Sequence, residues 1–343
     1  MRFFAVAALV ASFASIGHTV PDPTVHIIGG KPVTEGEDPF AALIRINFGG
    51  TAGSQCTGSI ISPTHIITAA HCVTGNSEVK DAHPQSITVH VGAVDVNDLL
   101  KNPQPVKRYF RHPGYLPVGE EGDFDEANKT YDIAVLELAK PLKFSETVQP
   151  VKLYPSLRYK ANTVVTAAGW GKTSGSDKGQ LASTLLKTQV TIASVSTCQQ
   201  KAGQANFKDN GAQVCTVSSS GSTCSGDSGG PLYLTLPKGS EKDTTDSAKA
   251  QVGVVSFGKT FCPLNGGNFF VNPYFHAGFI HNVTGLDLTD FVYKAAGEKK
   301  ALTTETTDTA ETDASNANLA NRLGGFSEPA AGGEEDDDVE DDE

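Results

Sequence analysis

From about Ile27 to Val292 the sequence is written in short stretches that alternate apolar and polar residues, such as SITVHVGAV (86–94) and TVVTAAGWG (163–171), separated by Gly, Pro, Asn and Asp. Alternation with period two, broken repeatedly by turn formers, predicts strands with one buried face and little helix. Many short strands favour a sandwich or barrels, and 343 residues give length enough for two such units packed together around sizeable cores. Two helices are expected. A short one runs through STCQQKAG with Ser196 as its cap, and a C-terminal one covers LDLTDFVYKAAG (286–297), with Leu286, Phe291, Val292 and Ala295 near one face to dock on the second unit.

The two ends read differently from this body. Arg2 precedes an apolar run that closes in small residues by Gly17, which predicts a signal peptide over residues 1–17, since a membrane span needs about 20 apolar residues. No other segment is continuously apolar enough to cross a bilayer, so a secreted, membrane-free product is expected. After Gly297 the chain turns to Thr, Ala, Asp, Glu, Asn and Gly, which offer too little apolar surface to offset the entropy of ordering, so residues 297–343 are expected to be a disordered acidic tail. The formal charge of -12 belongs to that tail, because residues 301–343 hold 14 acidic groups against one arginine. The remainder is nearly neutral and lacks the clustered Lys and Arg that nucleic-acid binding requires.

Secretion places the six cysteines in an oxidising compartment, where an even count reads as up to three disulfides, although spacing alone does not choose among the pairings. A zinc site is not expected: there is no CxxC pair, and His71-Cys72 has no second cluster at ligand spacing. Asp81, Asp95 and Asp98 likewise lack the dense oxygen spacing of a calcium loop. Asn128-Lys129-Thr130, in a polar loop, and Asn282-Val283-Thr284 are glycosylation sequons, meaningful because a signal peptide is present.

The chemistry concentrates in three motifs. Gly226-Asp227-Ser228-Gly229-Gly230-Pro231 presents a serine whose hydroxyl is a poor nucleophile until a base removes its proton and a third group orients that base. Thr68-Ala69-Ala70-His71-Cys72 supplies the base, and Tyr131-Asp132-Ile133-Ala134-Val135-Leu136 sets one acidic residue at the head of an apolar strand.

These motifs in the order His, Asp, Ser, with Gly169-Trp170-Gly171 between the last two and Ile27-Ile28-Gly29-Gly30 in front, resemble the chymotrypsin/trypsin family over residues 27 to about 295. The resemblance implies an all-β fold of two packed six-stranded antiparallel barrels with a C-terminal helix, in a peptidase domain over 27–296. It implies a serine endopeptidase working through an acyl-enzyme, with Ser228 as nucleophile, His71 as general base and then acid, and Asp132 fixing the imidazole tautomer. The N–H groups of Gly226 and Ser228 would form the oxyanion hole, and Ser256 would bond the catalytic Asp. The implied disulfides are Cys56–Cys72, Cys198–Cys215 and Cys224–Cys262.

By the same resemblance Ser222 forms the base of the primary specificity pocket, where an Asp would favour basic residues, and Gly258 and Gly278 are its open walls. Large apolar or aromatic P1 residues are therefore expected. Placing Gly278 there requires Pro263–His276 to be an inserted loop, and an alignment on Gly267 instead would change the pocket. Phe257 stands where Trp is usual, and Thr57 where Gly is common. Activation would free Ile27 to pair with Asp227, releasing residues 18–26 as a propeptide. With His26 where Arg or Lys is common at the cleavage position, the sequence does not imply a trypsin-like activator, so another class or the enzyme itself is expected. Expected partners are thus protein or peptide substrates and an activating protease of another or unknown class, with no cofactor, no metal, no nucleic acid and a monomeric state. The rival reading is a catalytically silent, protease-like binding or inhibitor protein, since a fold alone never establishes activity.

Overall fold

The alternating stretches do form strands, and many of them bury both faces. A computed structural model describes residues 27–49, 52–75, 81–116, 126–176, 179–236, 248–258 and 262–294. The expected signal peptide, the propeptide, the acidic tail and Ala295 lie outside those residues.

After a short β1 (Lys31–Pro32), the first half of the chain gives β2 (Ala41–Gly49), β3 (Ala52–Ile60), β4 (His65–Thr68), β5 (Ile87–His90), β6 (Gln104–Arg111) and β7 (Ala134–Leu138). These six close as an antiparallel barrel in the order β2-β3-β4-β7-β6-β5. Beyond β8 (Lys152–Leu153), the second half gives β9 (Val164–Gly169), β10 (Leu186–Ile192), β11 (Gln213–Val217), β12 (Pro231–Leu236), β13 (Ala248–Gly258) and β14 (Gly267–Val271). Their order is β10-β11-β14-β13-β12-β9, and a β9–β10 pairing closes the second barrel. β1 extends β10, and β8 runs parallel to β13.

Period two explains how two barrels share one core. Along β7, Ala134, Leu136 and Leu138 fill the first barrel, while Val135 and the preceding Ile133 turn outward into a cluster with Val254 of β13 and Val271 of β14. In β4, Ile66 points into the barrel and Ile67 into that shared cluster. Val252 and Val255 of β13 face the second barrel's interior, with Val254 between them in the shared layer. Strands buried on both faces pin their register strongly, since a slip of one residue would exchange the two sets. The barrels are therefore held in a fixed relation, and the ends of β4, β7 and β13 meet where they touch.

Helix is sparse: α1 (Val96–Leu99), α2 (Glu126–Tyr131), α3 (Val195–Ala202), α4 (Ala277–Thr284) and α5 (Leu288–Phe291). α3 runs where a helix is expected, but its cap is Ser194 rather than Ser196. The Ser194 Oγ accepts the Thr197 N–H at 3.2 Å, and Gly203 ends the helix in the left-handed conformation. The expected C-terminal helix over 286–297 is also corrected. The longer helix lies earlier, as α4, and Gly285 at φ 68° terminates it. Beyond Gly285 the chain makes a single turn, α5, after which Val292 bridges to Leu153 and the Tyr293 N–H donates to the Leu153 carbonyl at 2.7 Å. Leu286, Phe291 and Val292 still pack together, in the cluster between the barrels rather than on the second barrel alone.

All six cysteines are paired, as Cys56–Cys72, Cys198–Cys215 and Cys224–Cys262. No helix among the described residues is long and apolar enough to span a membrane.

Candidate active site

Three loops deliver the site to the junction of the barrels. His71 lies in a single 3₁₀ turn, Ala70–Cys72, directly after β4, and the Cys56–Cys72 disulfide ties that turn to β3. Both sulfurs near the ring are consumed by the disulfide, so the Cys56, His71, Cys72 cluster offers a metal no thiolate. Asp132 sits between α2 and β7, and Ser228 sits in the turn before β12.

Asp132 is fully buried and accepts three hydrogen bonds. The His71 backbone N–H donates to Oδ1 at 2.9 Å, His71 Nδ1 lies 2.8 Å from Oδ2, and Ser256 Oγ donates to Oδ2 at 2.5 Å. Burial works against a charged carboxylate here, but the His71 ring and these bonds outweigh it and hold Asp132 below the usual carboxylate range. Burial likewise pulls the His71 pKa down, while the charge and hydrogen bond of Asp132 more than compensate and raise it above 6.5. With Nδ1–H committed to Asp132, the other ring nitrogen is the one left to take a proton. Of the cluster beside Asp132 only Tyr131 belongs to a motif. His112 stacks on Tyr131 at 4.6 Å between centroids and touches His276 and Phe279, and burial lowers the His112 pKa to about 4, so that ring stays neutral.

The serine turn is stitched to both barrels. Its Asp227, Gly229 and Gly230 N–H groups donate to the carbonyls of Cys224, Val255 and Asp227 at 2.8 to 2.9 Å. Gly226 adopts φ 98°, and at Gly229 a Cβ would fall 2.0 Å from Thr68 Oγ1, so neither position admits a side chain without rebuilding the turn. The N–H groups of Gly226 and Ser228 have no acceptor among the described residues. Unpaired backbone donors flanking a serine hydroxyl are what a developing oxyanion needs. Among the described residues no hydrogen bond joins His71 to Ser228, a contact that commonly tightens only with substrate bound.

Thr57, standing where glycine is common, has a task that its motif does not reveal. Its N–H donates to the Ser228 carbonyl at 2.8 Å and its Oγ1 to the Gly226 carbonyl at 3.0 Å, so one residue of β3 grips both ends of the turn. Replacing Thr57 with valine keeps the shape and the N–H bond but leaves the Gly226 carbonyl unpaired. We expect kcat to fall about 10-fold with KM little changed and Thr57→Ser to restore it, measured by steady-state kinetics, on the usual worth of one buried hydrogen bond. Equal loss in both variants would remove this role.

The pocket residues need one correction. Ser222 is buried, and Gly258 ends β13. Gly278, expected as the opposite wall, lies in the first turn of α4. The strand facing Gly258 is β14, which begins at Gly267, with Asn268 directly opposite Gly258. Pro263–His276 is thus no inserted loop: it contains the wall strand itself. For the remaining expected sites, Asn128 falls within α2 rather than in a loop, and Asn282 is exposed on α4. Ile27 is fully buried beside Ala182 and Leu186, and Asp227 is fully buried as well.

Comparison with known proteins agrees with this architecture. The family model described as Trypsin matches residues 27–275. Serine protease Hayan of Drosophila melanogaster is 31% identical over 249 residues, covering 68% of this chain and 35% of that protein. Serine protease ea of the same fly is 30% identical over 266 residues, 70% of this chain and 62% of its own. Chymotrypsin-2 of Vespa crabro is 28% identical over 249 residues, 72% of this chain and 95% of its own. The alignment thus spans about a third of the first relative and under two thirds of the second.

Proposed function

This chain belongs to the trypsin family, and on that premise we propose that it is a secreted serine endopeptidase that hydrolyses protein or peptide substrates through an acyl-enzyme. The observation that carries the proposal is the buried Asp132, bonded at once to His71 and Ser256, beside a serine turn whose Gly226 and Ser228 N–H groups have no acceptor among the described residues.

In this reading Ser228 Oγ attacks the scissile carbonyl as His71 takes its proton, and Asp132 stabilises the imidazolium that forms. The tetrahedral oxygen receives the two free N–H groups, an interaction worth about 2.7 to 4 kcal/mol of barrier for each donor. His71 then returns its proton to the leaving amine, and water repeats the sequence on the acyl-enzyme. Catalysis requires a neutral His71, whose pKa is raised, so kcat/KM falls as the pH drops through a midpoint above 6.5. A pH profile of kcat/KM on a peptide substrate checks this, and an acid limb centred below 6.5 would contradict it.

Secretion is supported by the N-terminal apolar segment and by three disulfides, which persist in oxidising compartments. Activation would come from cleavage before Ile27 by a protease of unknown class, and the exposed Asn282 adds a glycosylation site. The large apolar P1 expectation drew on Gly278 as a pocket wall, and with Gly278 on α4 it loses that support.

The test is labelling of the secreted protein by a fluorophosphonate, with Ser228→Ala as control and N-terminal sequencing of the same sample. Label that depends on Ser228 and on an Ile27 start supports the enzyme. Absence of label despite a free Ile27 favours the binding-protein reading.

A further inference from the structure

Asn268 belongs to none of the motifs, yet it stands on the wall strand β14 and reaches Ser222 at the pocket floor. It is 6% exposed and stands opposite Gly258 in the β13–β14 ladder. Its Nδ2 donates to Ser222 Oγ at 3.1 Å, and that hydroxyl donates in turn to the Thr223 carbonyl at 3.2 Å. Its Oδ1 lies so close over the other wall that a Cβ on Gly258 would sit 2.4 Å from it. The carboxamide therefore bridges floor and wall. Its Oδ1 has no hydrogen-bond partner among the described residues.

We propose that Asn268 sets the primary specificity of this enzyme by making the pocket short and polar-floored, so that it takes small uncharged P1 side chains, alanine and serine foremost. The proposal rests on the protease reading above and deepens it. A chain entering between Gly258 and the Ser222 segment meets the amide before it reaches Ser222. A methyl group stops short of the amide, and a serine hydroxyl can donate to Oδ1. An aromatic ring must either displace the carboxamide, breaking its bond to Ser222, or press a carbon face onto an acceptor that then loses water without gaining a partner. A lysine or arginine finds no carboxylate there, only an amide already engaged with a hydroxyl.

The test uses the full chain cleaved before Ile27 and a series of peptidyl phosphonate diphenyl esters, identical except at P1, whose rate of reaction with the serine reads pocket fit without requiring turnover. In the wild type, alanine and serine at P1 are expected to react about 30-fold faster than phenylalanine, within the range by which pockets discriminate on size. Asn268→Gly removes the bridge, and the phenylalanine ester should gain about 30-fold relative to the alanine ester. Asn268→Ala serves the same purpose should the glycine variant fail to fold. Phenylalanine reacting as fast as alanine in the wild type, or an unchanged ratio in the variants, overturns the proposal while leaving the protease reading intact. No reaction with any ester or with a simple fluorophosphonate ends both.

Discussion

Replacing Ser228 with alanine is expected to lower kcat by about 10⁶-fold, the loss met in serine proteases when one member of a unit that acts together is removed. The size follows from what remains. The variant keeps the His71–Asp132 pair and the free N–H groups of Gly226 and Ser228, so it can still hold a substrate carbonyl and polarise it. It has no nucleophile to form the acyl-enzyme, and the reaction falls back on water. Asp132→Asn should be milder, at about 10⁴-fold, because it leaves the nucleophile in place but presents an amide where the His71 Nδ1–H needs an acceptor. Ser256 Oγ donates to the same Oδ2 and the His71 backbone N–H to Oδ1, so an asparagine whose oxygen suits the His71 ring and Ser256 turns its NH2 toward that backbone N–H. The Ser228→Ala change should not disturb the fold, since the serine turn is held by backbone bonds with Thr57, Val255 and Cys224 and not by the Ser228 hydroxyl. Thermal unfolding of Ser228→Ala within a degree or two of wild type, together with the kinetics of both variants on one peptide, checks this. Residual activity above about 1% in Ser228→Ala would mean that another group attacks, and would remove the triad as the source of the reaction.

Much of this site is legible without any coordinate, and the reason is physical. A serine nucleophile, its base and the carboxylate that orients the base each sit where the chain must make a special turn or begin a buried strand, so each carries its own local sequence. The barrels are legible from period two, although strands buried on both faces, such as β4 and β7, lose the polar half of the alternation. The pocket is not legible, because it depends on a pairing between distant strands. Glycines stand at 258, 266, 267 and 278, and which of them faces Gly258 is settled by the β13–β14 register and by the irregularity between Val255 and Phe257. One consequence is that an asparagine, not a glycine, lies opposite Gly258. The C-terminal helix fails for a more local reason: the apolar face is real, but Gly285 and the bridge from Val292 to Leu153 divide the segment. At α3 three hydroxyl residues, Ser194, Ser196 and Thr197, compete for one cap, and composition does not rank them.

In the chain cleaved before Ile27, Asp227→Asn is expected to lower kcat/KM by about 10³-fold, the cost of losing an oxyanion donor rather than a triad atom. Asp227 is fully buried, with Oδ1 accepting the Gly171 N–H at 2.8 Å and Oδ2 the Cys224 N–H at 2.9 Å. Burial outweighs these two bonds and pushes its pKa up to about 7, so before cleavage the carboxylate lacks a cation worth the desolvation. The cation is expected from Ile27. That residue is buried, Ile28 bridges to Ser222 in the segment leading to Asp227, and Ile27 holds φ 34°, an unfavourable angle for a β-branched residue that cleavage of the preceding peptide bond abolishes. The pH dependence has a definite sign. A folded-state pKa raised above the unfolded value of 3.8 means that the uncleaved chain keeps the benefit of protonated Asp227 below about pH 4 and loses it as the pH rises to about 7. The loss amounts to about 4 kcal/mol at most, from three pKa units at about 1.4 kcal/mol each. Thermal unfolding of the uncleaved Ser228→Ala protein should therefore fall in Tm between pH 4 and 7 relative to its Asp227→Asn counterpart. After cleavage the order should reverse at pH 7, because asparagine then leaves the Ile27 ammonium buried and unpaired, a defect of about 3 to 5 kcal/mol. A parallel pH course for both uncleaved proteins, or a cleaved Asp227→Asn enzyme with full kcat/KM, would show that Asp227 does not couple the new amino terminus to the serine turn.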